Sequence, residues 1–389
     1  MTLRVDPVDT RRDLKRFIGV PWHIYDPREH PQWVPPLRAM VKDLLDTRKN
    51  PFYERASIRL WVARRDGRVV GRVAAIENRA HNEFHDDKVG FFGFFEAVED
   101  PEVARLLLDT ASGWLAQRGL TAMRGPMSPS TNHDCGMLVR GFRWQPSFMT
   151  TWNPRYYPEL MDACGMVGVK DLLAYYLPND DALLPIPEGV RKAAARVRER
   201  GNLSFRSFDK SRFEHEVAKA WEVYNGAWEK NWGFIPVTEK EFWHQAKDLK
   251  PILDPDLVFF AEDGDRTVGI MMVLRDLNFV LKRIPNGRLL PTGIFKLLFG
   301  WKKVLTGRLM LAGILPEYRH RAIFPLFIDE LKRRGQAVGA VGADASWILE
   351  DNEGIHGPLR AMGAKVTRRW RIYERPISSD PDEGNTSGG

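Results

Sequence analysis

Arg319, His320 and Arg321 stand where the apolar run 309–315 gives way to the helical pattern of 318–335. A strand, a tight turn and a helix in that order present unpaired backbone N–H groups at the helix start, and three basic side chains beside them make an anion cradle. The turn reads PEYRHRAIFPL, so His320 and Phe324 hold places where glycine would let a phosphate approach most closely. A working but modified cradle is the reading; a solvated basic helix start is the plainer alternative. The matching helix of the first half opens on Asp100-Pro101-Glu102, which caps a helix but sets acids where phosphates would sit.

Two other stretches carry groups able to move a proton. The strand-like ADASWILEDN ends in Glu350, Asp351 and Asn352. An amine acceptor arrives as an ammonium and must lose a proton before it attacks, which a carboxylate there would accept. The same acids also stabilise the start of the following helix without any catalytic role. In RGPMSPSTNHDCGM, His133 and Asp134 are a second candidate base, against the alternative of a loop packed by its own hydrogen bonds. Tyr156 and Tyr157, after Asn153-Pro154, are polar aromatics suited to an acceptor pocket. Two cysteines, Cys135 and Cys164, make neither a disulfide framework nor a zinc site, and no metal is expected.

The elements that must position these groups occur twice. IRLWVARRDGRVVGRVAAIENR and DLVFFAEDGDRTVGIMMVLRD are strand pairs around Asp66-Gly67 and Asp263-Gly264. Short helices opened by Asn153 and Asn352 close at Gly165 and Gly363, and all three landmarks recur at nearly one spacing. That is an internal duplication. The expected organisation is an arm over 1–57, a domain over 58–178, a linker and basic helix over 179–202, a second domain over 203–377 and a disordered tail over 378–389. The halves diverge at an excursion over 123–146 in the first and an insertion over 275–308 in the second.

The chain has 389 residues, 43% hydrophobic and 28% charged, with 13 tryptophans and 21 phenylalanines, which describes a globular protein with aromatic cores. No apolar run reaches membrane-spanning length and no signal peptide opens the sequence, so a cytoplasmic location is expected. The net charge of +7 is uneven: residues 281–308 hold seven Lys or Arg and no acid. That suits a polyanionic cofactor or an anionic membrane, and without a recognisable RNA- or DNA-binding motif no nucleic acid is expected. Within 291–305, Ile294, Leu297, Leu298, Trp301 and Leu305 fall on one helical face edged by Lys296, Lys302 and Lys303. It reads as an interfacial helix at the inner membrane face or as a buried lid.

The order hairpin, strand, phosphate turn and helix, strand, Asn-led helix, final strands resembles the GNAT acyltransferase fold, once over 58–178 and once over 203–376. The fold class is therefore α/β with α+β-type mixed sheets, as two tandem GNAT domains. The resemblance implies that the second domain binds acyl-CoA, with pyrophosphate on Arg319, His320, Arg321, Ala322 and Ile323, and with Asn352 and the backbone of Leu311, Ala312, Gly313 and Ile314 alongside. The strand backbone would stabilise the oxyanion. Many GNAT enzymes carry a general-acid tyrosine seven residues after the Asn; here that position is Leu359, expected to line an acyl channel, with Trp347 in the same pocket. WVPPLR, NPFYE, RGPMSPSTN, WNPRYY and SWILEDN together resemble bacterial ceramide synthase-like GNAT proteins. This implies transfer of a long-chain acyl group from acyl-CoA to a lipophilic amine such as a sphingoid base. The alternatives are a tandem-GNAT aminoacyl transferase of the cell-wall type and a non-catalytic acyl-CoA or lipid sensor. If the cradle charges act directly, Arg319→Ala with Arg321→Ala should weaken coenzyme A binding several-fold in calorimetric titration, whereas Glu102→Lys should leave it unchanged.

Overall fold

The computed structural model describes residues 2–199, 203–229, 231–321 and 323–377; the side chains of Arg198 and His320 are outside that description, as are Ala322 and the tail 378–389. Among them the chain divides into two compact units. The first comprises 2–172, 284–289 and 368–377, and the second 173–283 and 290–367. The expected contiguous domains 58–178 and 203–377 differ from this grouping by contact, because the strands near 170 and 370 change unit along their length.

In the first half the elements are β1 (Leu3–Pro7), α1 (Arg11–Gly19), α2 (Pro21–Ile24), α3 (Arg38–Leu44), β2 (Ala56–Arg65), β3 (Arg68–Asn78), α4 (Arg79–His85) and β4 (Val89–Ala97). α5 (Pro101–Ala116), β5 (Ala122–Gly125), β6 (Met127–Ser128), β7 (Asp134–Cys135), β8 (Met137–Arg140), α6 (Tyr157–Ala163) and β9 (Val167–Pro178) follow. The second half has α7 (Glu188–Glu199), β10 (Leu203–Ser207), α8 (Phe213–Trp228), α9 (Glu239–Leu249), β11 (Val258–Asp263), β12 (Arg266–Arg275), α10 (Asn278–Leu281) and α11 (Gly293–Gly300). It closes with β13 (Thr306–Ile314), α12 (Ile323–Ala337), β14 (Gly342–Leu349), α13 (Glu353–Ala361) and β15 (Val366–Pro376).

Both units use one strand order. In the first, β1 to β4 pair antiparallel in sequence, β4 pairs parallel with β5, and β5 pairs antiparallel with β15. In the second, β10 to β13 pair antiparallel, β13 pairs parallel with β14, and β9 is the next strand. The duplication legible in the sequence is thus a duplication of sheet topology, except that each unit takes its closing strand from the other half of the chain.

Helical spacing sets the cores. Val103, Ala104, Leu107, Leu108, Ala111 and Leu115 of α5 lie three or four residues apart and are buried against Val73, Phe92 and Met123. α12 serves two clusters: Ile323 and Phe327 pack with Phe259 and Met271, while Phe324 and Ile328 pack with Tyr175, Ile348 and Leu359. Among the described residues, no helix is long and apolar enough to cross a membrane.

One close approach shapes the first unit. A Cβ built on Gly93 would lie 1.7 Å from the Met127 carbonyl oxygen, so β6 runs directly against β4 at a point where only glycine fits. Gly93→Ala should cost on the order of 2–4 kcal/mol of unfolding free energy, because the clash is with backbone that cannot rotate away. Urea denaturation of the variant measures it; an unchanged midpoint would mean that the two strands separate freely.

Candidate active site

The second unit has an opening where the first has a closure. The parallel ladder of β13 with β14 runs only from Thr306↔Gly342 to Leu309↔Ala345. Immediately beyond, Met310 is the extra residue of a bulge against β12, and 311–314 continue along β12 with no β14 partner among the described residues. In the first unit the ladder of β4 with β5 also ends early, at Phe91↔Arg124, but β6 fills the gap against Gly93 and the Phe94 N–H donates to Ser128 Oγ at 2.8 Å. α8 comes close to the free stretch of β13: a Cβ on Gly313 would stand 2.4 Å from the Trp228 ring.

The turn after β13 is a tight 3-10 helix, Pro316–Arg321, leading into α12. The first N–H groups of α12 lack intrahelical partners, as the start of any helix does. Phe324, the bulkiest departure from a glycine-rich turn, packs with Tyr175, Ile328 and Leu359 as a member of the apolar cluster. The basic side chains do less than their number promises. Arg321 donates to Asp263 Oδ2 at 2.9 Å and lies over the Tyr318 ring, while Arg319 donates to the carbonyls of Ala227 at 2.5 Å and Ile314 at 3.4 Å. Arg319 ties the turn to the end of α8; Arg321 ties it to the β11–β12 hairpin.

Glu350 and Asp351 are both exposed in the turn that ends β14, and Asn352 opens α13 without a side-chain capping bond. Trp347 is half-buried, with the guanidinium of buried Arg308 over its ring at 4.8 Å. Leu359 is 2% exposed, enclosed by Ala345, Ile348 and Ile355, so it is a core side chain in this conformation and not the wall of an open channel. His356, which nothing in the sequence pattern singled out, is buried in α13; its Nδ1 accepts from the Tyr175 hydroxyl and its Nε2 donates to the Leu349 carbonyl, each at 2.9 Å. That tautomer pins α13 to the end of β14.

In the first unit, His133 Nδ1 is 2.9 Å from Ser130 Oγ and its ring meets Phe52 edge-on, while Asp134 belongs to the short β6–β7 ladder. Tyr157 is buried, donating to Glu96 at 2.8 Å and accepting from the Ala97 N–H at 3.1 Å; Tyr156 donates to the Ala97 carbonyl at 2.9 Å. Neither is a free pocket lining. Glu96 also accepts from Tyr25 of the arm and from Arg72, and burial pushes its carboxyl above the ordinary range against the pull of those donors. This cluster fastens the arm to β4. Among the described residues, no group of three metal-ligating side chains occurs.

No family model matches the chain. The chain is 32% identical over 373 residues to protein YghO of Escherichia coli, covering 94% of each. It is 32% identical over 382 residues to a bacterial ceramide synthase of Caulobacter vibrioides, covering 96% of this chain and 98% of that one. Among solved structures, a tandem GNAT protein from the clavulanic acid biosynthesis pathway aligns with a TM-score of 0.56 at 12% identity, over 97% of this chain and 99% of that one. The chain belongs to the tandem GNAT-fold N-acyltransferases, among the bacterial ceramide synthase-like proteins. The glucosamine N-acetyltransferase region of a fungal GH3 β-N-acetylglucosaminidase also shares the fold, with a TM-score of 0.57 at 15% identity, over 96% of this chain and 38% of that one.

One titratable group on α9 carries a shifted carboxyl that its sequence position does not announce. Glu241 stands three residues after Thr238, the spacing of a capping box, and its N–H donates to Thr238 Oγ1 at 3.2 Å. Burial pushes the half-buried Glu241 carboxyl up to about 7, near Tyr224 of α8. The sign follows from where the proton sits. Below pH 4.5 folded and unfolded chains both hold it; between 4.5 and about 7 only the folded chain does, so stability falls across that window and levels above it. Glu241→Gln should remove this decline, gaining on the parent by about 3 kcal/mol from the bottom to the top of the window. Denaturant titrations across pH measure it; parallel curves would place the carboxyl in water.

Proposed function

We propose that the protein transfers a long-chain acyl group from acyl-CoA to a lipophilic amine, a sphingoid base giving a (dihydro)ceramide. End-to-end likeness to a bacterial ceramide synthase carries this reading, at 32% identity over 96% of the chain. The geometry supports a division of labour. The second unit has the free strand stretch 311–314 and the helix start beyond it, which suit a thioester and a pyrophosphate. The first unit has that place filled by β6 and opens its helix on Asp100 and Glu102, so it is read as the acceptor side.

Because Arg319 and Arg321 are tied to protein groups, the turn's N–H groups and the α12 dipole are the main hold on phosphate in this reading, with both arginines as supports. Glu350 and Asp351, exposed at the end of β14, remain the proposed acceptors of the ammonium proton, and His133 with Asp134 the second candidate. Both the lipid substrate and the product of this reading partition into membranes.

Incubation with palmitoyl-CoA and sphinganine, followed by thiol release and mass spectrometry of the lipid extract, tests the proposal. The expected result is an N-acyl product formed in step with free coenzyme A, and faster with palmitoyl-CoA than with acetyl-CoA. Thiol release without an N-acyl lipid, or no turnover with either donor, would overturn it.

A further inference from the structure

The segment between Asp276 and Glu317 holds no acid, and the fold turns part of it outward. Of the face expected over 291–305, Ile294, Leu297 and Trp301 are half-buried while Leu298 and Leu305 are exposed, so the outward face of α11 is turned to one side of the expected one. Phe295, Leu298 and Phe299 are 60, 56 and 70% exposed, and their i, i+3, i+4 spacing puts them on a single face. The helix is already seated without them: a Cβ on Gly300 would lie 3.2 Å from Val280 of α10, and Lys296 Nζ donates to the Arg283 carbonyl at 2.7 Å. Phe279 of α10 is exposed too, as are Leu305 and Val341, which are joined by a backbone hydrogen bond at the beginning of the β13–β14 pair. Lys296, Lys302 and Lys303 are all exposed around this face.

We infer that the second unit docks on an anionic lipid bilayer through this face, with Phe295, Leu298 and Phe299 entering the headgroup region and Lys296, Lys302 and Lys303 lying against lipid phosphates. Aromatic and aliphatic side chains at headgroup depth, ringed by lysine, combine apolar burial with attraction to anionic lipid. A second copy of the chain fits less well, since a two-fold contact would press one lysine rim onto the other. The strand fixes an orientation. β13 leads from Leu305, at the apolar end, to Ile314 and the turn beyond, on the order of 25–30 Å away. The apolar end rests on the lipid and the anion-binding turn stands off in water. This deepens the proposed acyl transfer and rests on it for purpose, but the docking itself needs no substrate.

The test is flotation of the full chain with vesicles of phosphatidylcholine alone and of phosphatidylcholine mixed with phosphatidylglycerol, without acyl-CoA or amine. The chain should float with the mixed vesicles only and be released by added salt. Phe295→Ser with Phe299→Ser, and separately Lys302→Gln with Lys303→Gln, should each weaken binding at least tenfold while the melting temperature holds. Binding indifferent to lipid charge, or variants that float like the parent, would overturn the inference. So would a parent dimer, by light scattering, that the Phe295→Ser, Phe299→Ser pair dissociates. Because flotation and turnover are read separately, a chain that floats but transfers nothing sinks the acyl-transfer reading alone, and one that transfers but never floats sinks the docking alone.

Discussion

A parallel strand pair that separates leaves backbone donors and acceptors facing the gap, and each must find a partner or water. Both units of this protein contain such a pair, and the rest of each unit follows from how the gap is treated. Around β4 it is closed by β6, which requires glycine at position 93 because the two backbones touch. Around β13 no described strand takes that place, and the bulge at Met310 turns the following residues away from β14. One sheet topology, used twice, thus gives one unit whose gap a strand fills and one whose gap no described strand fills.

The positive charge near the opening has a structural share that composition conceals. Arg319 and Arg321 brace the turn against α8 and the β11–β12 hairpin, so they set where the start of α12 points. A guanidinium held by carbonyls still contributes its field, but its geometry belongs to the fold. The aromatic content is shared in the same way: Tyr157 and Tyr25 are held on Glu96, and Phe324 fills the cluster beneath α12. The exposed apolar face of α11 and the basic turn before α12 then lie toward the two ends of β13.

Much of this was legible in the sequence. Turn dipeptides, Asn-led helices and closing glycines fixed the duplication, because they record local backbone conformation that only certain residues permit. The acids at Asp100 and Glu102 already set the first helix apart from α12. A likeness spread over five motifs placed the chain among the ceramide synthase-like GNAT proteins.

What only the tertiary structure decided concerns which neighbour each side chain meets. Leu359 and Tyr157 are core residues, and Phe324 packs away as cluster filling, because contacts far apart in sequence enclose them. The outward face of α11 is 295, 298 and 299, while 294, 297 and 301 are half-buried, because packing against neighbouring elements and not helical periodicity decides which side of a helix is covered. Glu241 reads as a capping residue from its spacing, and its shifted carboxyl arises from burial near Tyr224 of α8. Each half lends its closing strand to the other unit, which no local pattern encodes, because strand partners are chosen by long-range packing and backbone pairing rather than by the residues of the strand itself.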